Sequence, residues 1–214
     1  MLKLLKPKIV IEYNRFLDPI FTFYCQNAPE WKARGWNDWK PPTLEVIKER
    51  IKCYKEEWKK NEDKIIMSMC EVLGLFFHRN VIDVHIVSGN PRQFSWPIVI
   101  KSGFSPAEFV DTLAHELIHV LMTDNHDKIK WPREILEHFT HETKLTTNHI
   151  VVHATLKYIF LDVLNDEAKL KANLERSKKH SAPDYARAWE IVEEVGYKEV
   201  LERFRKNKKA GDII

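Results

Sequence analysis

Read for the spacing of its apolar positions, the chain changes period twice. From Thr43 onward, Leu44, Ile47, Ile51, Tyr54 and Trp58 recur at three- and four-residue intervals with Lys and Glu between them. This spacing predicts an amphipathic helix with Thr43 as its N-cap. A second helical run, Ile65 to Phe77, carries Ile66, Met69, Cys70, Leu73 and Phe77 on one face, and Asn61-Glu62-Asp63 between the two either bends the chain or rides through as solvated surface. The period then falls to two. Val81 to Val87 alternates as a strand does, Ser88-Gly89-Asn90-Pro91 makes a turn, and Phe94 to Ile100 reads as a second strand. Pro97 has no N–H to give a ladder, so that second strand belongs at a sheet edge or carries a bulge.

The helical period returns at Ser105-Pro106-Ala107-Glu108. Serine can cap, proline suits the first helical position, and Glu108 can close a capping box, so a helix is expected over about 106–122. It ends in the polar run Thr123 to Asp127, and further helices are expected over Pro132–Lys144, Thr147–Leu164, Asp166–Lys179 and Pro183–Lys206, the last with Gly196 as a break. Residues 1–42 read as irregular and aromatic-rich, with Trp31, Trp36 and Trp39 ahead of a Pro41-Pro42 stop. The expected organisation is therefore an N-terminal extension over 1–42, pinned to the body by its tryptophans, and an α+β domain with a small sheet over 43–214.

Composition narrows the class. With 214 residues, 44% hydrophobic and 30% charged, the chain can bury a sizeable core, and it holds no apolar stretch long enough to span a membrane. Lys3, Lys6 and Lys8 interrupt the start of the chain, so no signal peptide is read and a cytoplasmic, intracellular location is expected. Cys25, Cys53 and Cys70 form no C-x-x-C pair, in keeping with a reducing compartment. The balance of 34 basic and 31 acidic residues leaves +3, too little for a protein whose affinity rests on neutralising many phosphates. Ten histidines are the unusual entry in this composition, and their positions carry the chemistry.

The capped helix contains Thr112-Leu113-Ala114-His115-Glu116-Leu117-Ile118-His119-Val120-Leu121. Histidines four apart stand one turn above each other and can aim two imidazole nitrogens at one point. Glu116 is rotated by about 100° from His115, which sets its carboxylate beside a metal there. The stretch matches the H-E-x-x-H motif residue for residue and fits the longer consensus around it, and in this the chain resembles the zincin metallopeptidases. The resemblance implies a zincin-like α+β fold, with a small sheet whose edge strand packs on the active-site helix. It implies Zn²⁺ held by His115 and His119, and Glu116 as general base toward a metal-activated water that hydrolyses a peptide bond. It also implies a peptide or protein substrate added along the edge strand Phe94–Ile100.

A third ligand must lie downstream. His126 follows His119 by seven residues, where metzincins use six, and His126-Asp127-x-x-x-Trp131 resembles the third-ligand region of DNA-repair proteases of the SprT and WLM type. Gluzincins take a glutamate from a downstream helix; here His149 stands in its place. His149 and His153 share one face of an otherwise apolar helix, so both are expected to point inward. His149 is the preferred ligand, with His126 and His153 as alternates and Glu142 and Glu134 behind them. Whichever of His149 and His153 is not a ligand is a candidate oxyanion donor. Asp111 is read as a solvated first-turn acid, with orientation of His115 as its other role. Two other readings remain at this point: a zincin-shaped protein with structural zinc or a very restricted processing role, and a helical nucleic-acid-associated module using the basic run from Arg205 and the tryptophans.

Overall fold

The computed structural model describes residues 6–33, 38–90, 92–129, 141–179 and 182–206. Among them are eight α-helices and one mixed four-stranded sheet, an α+β architecture. They fall into two compact units: Lys6–Glu62 with Arg79–Leu117, and Asp63–His78 with the described part of Ile118–Ile214.

The first unit carries the sheet. Strand β1 (Lys8–Tyr13) pairs in parallel with β2 (Val81–Val87), from Lys8 opposite Val81 to Tyr13 opposite Ile86. β2 pairs in parallel with β4 (Ile98–Lys101), and β3 (Phe94–Ser95) lies antiparallel to β4, giving the order β1-β2-β4-β3 with β3 at an edge. Alternation buries Ile82, Val84 and Ile86 of β2 with Ile11 of β1, while Val81 and Asp83 stay exposed.

Two expectations are corrected here. Residues 8–13, read as irregular, form β1, and helices α1 (Asp18–Asn27) and α2 (Pro29–Lys32) follow it. The stretch Phe94–Ile100, read as one strand, is two strands about a turn at Trp96-Pro97, because proline offers the ladder no donor. Of the three tryptophans, Trp31 is buried, and the ring of Trp39 lies so close to Gly89 that a Cβ there would come within 2.5 Å of it. Trp36 lies outside the described residues.

Helix α3 (Leu44–Leu73) is continuous, so Asn61-Glu62-Asp63 rides through it. In the first unit its Ile47, Ile51, Tyr54 and Trp58 are buried, and the Tyr54 hydroxyl reaches the carbonyls of Ser102 (2.6 Å) and Phe104 (2.7 Å) while its ring stacks on Phe109 at 4.2 Å. This pins the loop that leads into α4 (Pro106–Asp124). The capping box forms as the sequence predicts: Ser105 N–H donates to Glu108 Oε2 at 2.9 Å, and Glu108 N–H donates to Ser105 Oγ at 3.3 Å.

The second unit is helical. α5 (Lys144–Tyr158) continues into a π-helical turn (Ile159–Val163) and packs against α7 (Asp184–Val195) and α8 (Tyr197–Lys206), with α6 (Glu167–Lys178) beside α7. From Ile150 to Leu156 every residue of α5 is buried, which explains its lack of a polar stripe. Gly196 sits at φ +88°, where a side chain would be strained, and this separates α7 from α8. The helix expected over Pro132–Lys144 falls largely on 130–140, outside the described residues. Among the described residues no helix is long and apolar enough to cross a membrane.

Candidate metal centre

α4 sets His115 and His119 one turn apart, among Leu113, Leu117, Ile118 and Leu121, which are all fully buried. α5 supplies His149. Its Nδ1–H donates to the Leu145 carbonyl one turn earlier at 2.7 Å; a carbonyl only accepts, so Nε2 is left carrying a lone pair. That Nε2 lies 3.4 Å from His119 Nε2, with the rings edge to face at 5.0 Å. The ligand atoms of His115, His119 and His149 all lie within 4.8 Å of one another.

One pair of these nitrogens stands at the separation a tetrahedral metal requires. Two nitrogens each roughly 2.0–2.1 Å from one zinc stand about 3.3–3.4 Å apart at the tetrahedral angle, and the His119–His149 separation has that value. The protonation state fits as well. Burial, with the neighbouring His149 adding to it, pushes His119 down to about 3, so its imidazole is neutral at physiological pH and has no proton to give up to a cation. The hydrogen bond from His149 Nδ1–H to the backbone is the outer support that commonly fixes the tautomer of a metal-binding histidine.

Glu116 is 6% exposed, and the hydroxyl of Ser95, on edge strand β3, donates to its Oε2 at 2.5 Å. Burial pushes the carboxyl up to about 7, against the opposing pull of that hydrogen bond. A carboxyl poised there can take and return a proton near neutral pH.

The other candidates lie elsewhere. His126 is exposed, with its Nδ1–H donating to the Thr123 carbonyl at 3.2 Å, outside the histidine group. His153 is buried with its ring stacked on Trp189 at 4.5 Å and 5.7 Å from that of His149; burial holds it well below the usual histidine range. Glu142 pairs with Arg187 at 2.9 Å, and Glu134 lies outside the described residues. Asp111 corrects its reading: it is 2% exposed, a buried acid one turn before His115. Ser95 and Tyr185, whose ring lies 4.4 Å from that of His149, were not singled out from sequence. Nor was the tie at the start of α5, where Thr143 accepts from Thr146 N–H at 3.1 Å and both threonine hydroxyls reach Asp184 of α7. Each of these depends on a partner distant in sequence.

A scan against protein-family models and searches of curated proteins and of solved structures found no match to this chain.

Proposed function

We propose that the chain is a zinc-dependent peptidase of zincin type, with His115, His119 and His149 as the metal ligands and Glu116 as general base. The observation that carries this reading is the 3.4 Å approach of two imidazole Nε2 atoms from α4 and α5, within the three-histidine group and next in sequence to a buried glutamate. Bound Zn²⁺ would supply Lewis-acid polarisation of a peptide carbonyl and of water. Glu116 accepts the proton of the attacking water and delivers it to the leaving amine, a duty for which its buried carboxyl beside His115 is placed. Ser95 holds that carboxylate by one oxygen and leaves the other for the water. Edge strand β3, which carries Ser95, has no strand on its outer side among the described residues and offers that edge to an extended peptide. Three free cysteines accord with work in a reducing, intracellular compartment.

The test is metal analysis joined to a peptide-hydrolysis assay. Wild type and His126→Ala are expected to retain stoichiometric zinc, and His149→Ala to lose it. Glu116→Gln is expected to keep zinc and fold while hydrolysis falls by about 10²–10⁴-fold. Zinc retained by His149→Ala and lost by His126→Ala would overturn the ligand set. Hydrolysis surviving Glu116→Gln would overturn the mechanism, and full zinc without hydrolysis of any peptide would leave a structural metal.

A further inference from the structure

Helix α1 is amphipathic in the wrong sense for a helix at a protein surface. Its buried positions are Asp18 and Cys25, while Ile20, Phe23 and Tyr24 are exposed, Ile20 by 63% and Phe23 by 68%. Spacings of three and four put these side chains on one face, and Phe16, in the turn just before the helix, is also exposed. The orientation is imposed from the buried side. Asp18 accepts from Ser88 N–H at 2.5 Å, from Ser88 Oγ at 2.9 Å and from the Tyr13 hydroxyl at 2.7 Å, so turning the aromatics inward would cost three hydrogen bonds to a buried carboxylate. A contiguous apolar face held outward in this way marks an interaction surface.

One ring contact links α1 to the candidate site. Phe21, on the flank of α1, lies 5.8 Å ring to ring from Phe94 of edge strand β3, and the residue after Phe94 is Ser95, which holds Glu116. We propose that the outward face of α1, with Phe94, is the recognition surface for large apolar side chains of an extended polypeptide substrate; this rests on the peptidase reading. A strand laid along β3 turns alternate side chains to one side, where Phe21, Phe94 and the α1 face receive them. The charge pattern favours a polypeptide over a bilayer, because α1 itself carries no Lys or Arg and the one cation at its start, Arg15, lies over the Phe16 ring at 4.7 Å.

The experiment uses the full chain as Glu116→Gln, which stops turnover, and two fluorescein-labelled dodecapeptides read by anisotropy. One carries Phe or Leu at alternate positions and the other Ser at the same positions. The apolar peptide is expected to bind at least tenfold more tightly. The Ile20→Ser/Phe23→Ser double substitution should bring it to the level of the Ser peptide, while Met67→Ser, at an exposed apolar position on α3, changes nothing. Equal affinity for the two peptides, or apolar binding that survives the double substitution, overturns the proposal. So does α1-dependent adsorption to phosphatidylcholine–phosphatidylserine vesicles, or α1-dependent dimerisation in sedimentation velocity, in place of peptide binding. Incubating the apolar peptide with the zinc-loaded wild type separates the two ideas. Cleavage indifferent to α1 sinks the surface and leaves the peptidase, whereas α1-dependent binding without cleavage sinks the peptidase and with it the word substrate.

Discussion

Two carboxylates lie buried in the same unit and differ in how they are satisfied. Asp18, in the first turn of α1, accepts three hydrogen bonds from Ser88 and Tyr13. Glu116, in the middle of α4, receives one from Ser95. Both are nearly closed to solvent, so burial alone does not separate them. The number of donors does: Asp18, given three, is a structural tie between α1 and the end of the sheet, whereas Glu116, given a single donor, is pushed up by burial and becomes a group that exchanges protons. The neighbour of Asp18 reports the same arrangement, since burial first and then the hydrogen bond to Asp18 push the Tyr13 hydroxyl up to about 12. One carboxylate holds the fold, and the other is held ready by it.

Exchanging each for its amide is the sharpest way to break that comparison. Asp18→Asn leaves an NH₂ group facing donors that it cannot accept from, and is expected to cost about 3 kcal/mol in unfolding free energy. Glu116→Gln removes a carboxyl that prefers to be neutral in its site, and at pH 7 the metal-free protein is expected to lose nothing and to gain stability. Urea unfolding at pH 7 with unchanged m-values measures both. Equal losses would mean that donor count does not distinguish the two sites.

A smaller effect appears along the pH axis. In the folded metal-free protein Glu116 is held up to about 7 from an ordinary 4.5, so between these values the folded state binds more protons than the unfolded one. Stability therefore falls as pH rises through that window, reaching on the order of 3 kcal/mol by pH 8, reduced by whatever the site relaxes. His119 acts in the opposite direction: it is pushed down to about 3, so its contribution is complete above 6.5 and is lost as pH falls. Subtracting the Glu116→Gln profile from that of wild type isolates the first slope. A flat difference between pH 4.5 and 7 would show that Glu116 is not desolvated.

The sequence made one half of this comparison legible and hid the other. α4 announces itself through Ser105-Pro106-Ala107-Glu108, and the chemistry lies inside it at a spacing that only a helix makes meaningful. His149 could be picked out because a histidine in an apolar helical run must find a partner. Asp18 gave no such signal, because two of its three hydrogen bonds come from Ser88, 70 positions away just after β2, and an acid in a first helical turn reads as solvated. Asp111 misled for the same reason. β1 was missed because its six residues pair in parallel with a strand more than 70 positions later, and nothing local marks such a partner. Local signals thus found helices and the residues along them, while the Ser88 bonds to Asp18 and the Ser95 bond to Glu116 join residues 70 and 21 positions apart.

The finest adjustment lies in the single bond to Glu116. The Ser95 hydroxyl donates to the carboxylate and so favours its charged form, opposing the burial that favours the acid. Ser95→Ala removes only that opposition. The carboxyl then rises further, the general base is protonated over a wider range, and the acid limb of kcat/KM in the zinc-loaded enzyme is expected to move up by roughly 0.5–1 pH unit. Hydrolysis at pH 6 should fall several-fold while the rate at pH 9, where the base is ionised in either protein, stays within about twofold. Ser95→Thr keeps the hydroxyl and should restore the wild-type limb. A uniform fall in rate at every pH would instead make Ser95 a packing residue of β3, and the contrast with Asp18 would then rest on burial geometry and no longer on donor count.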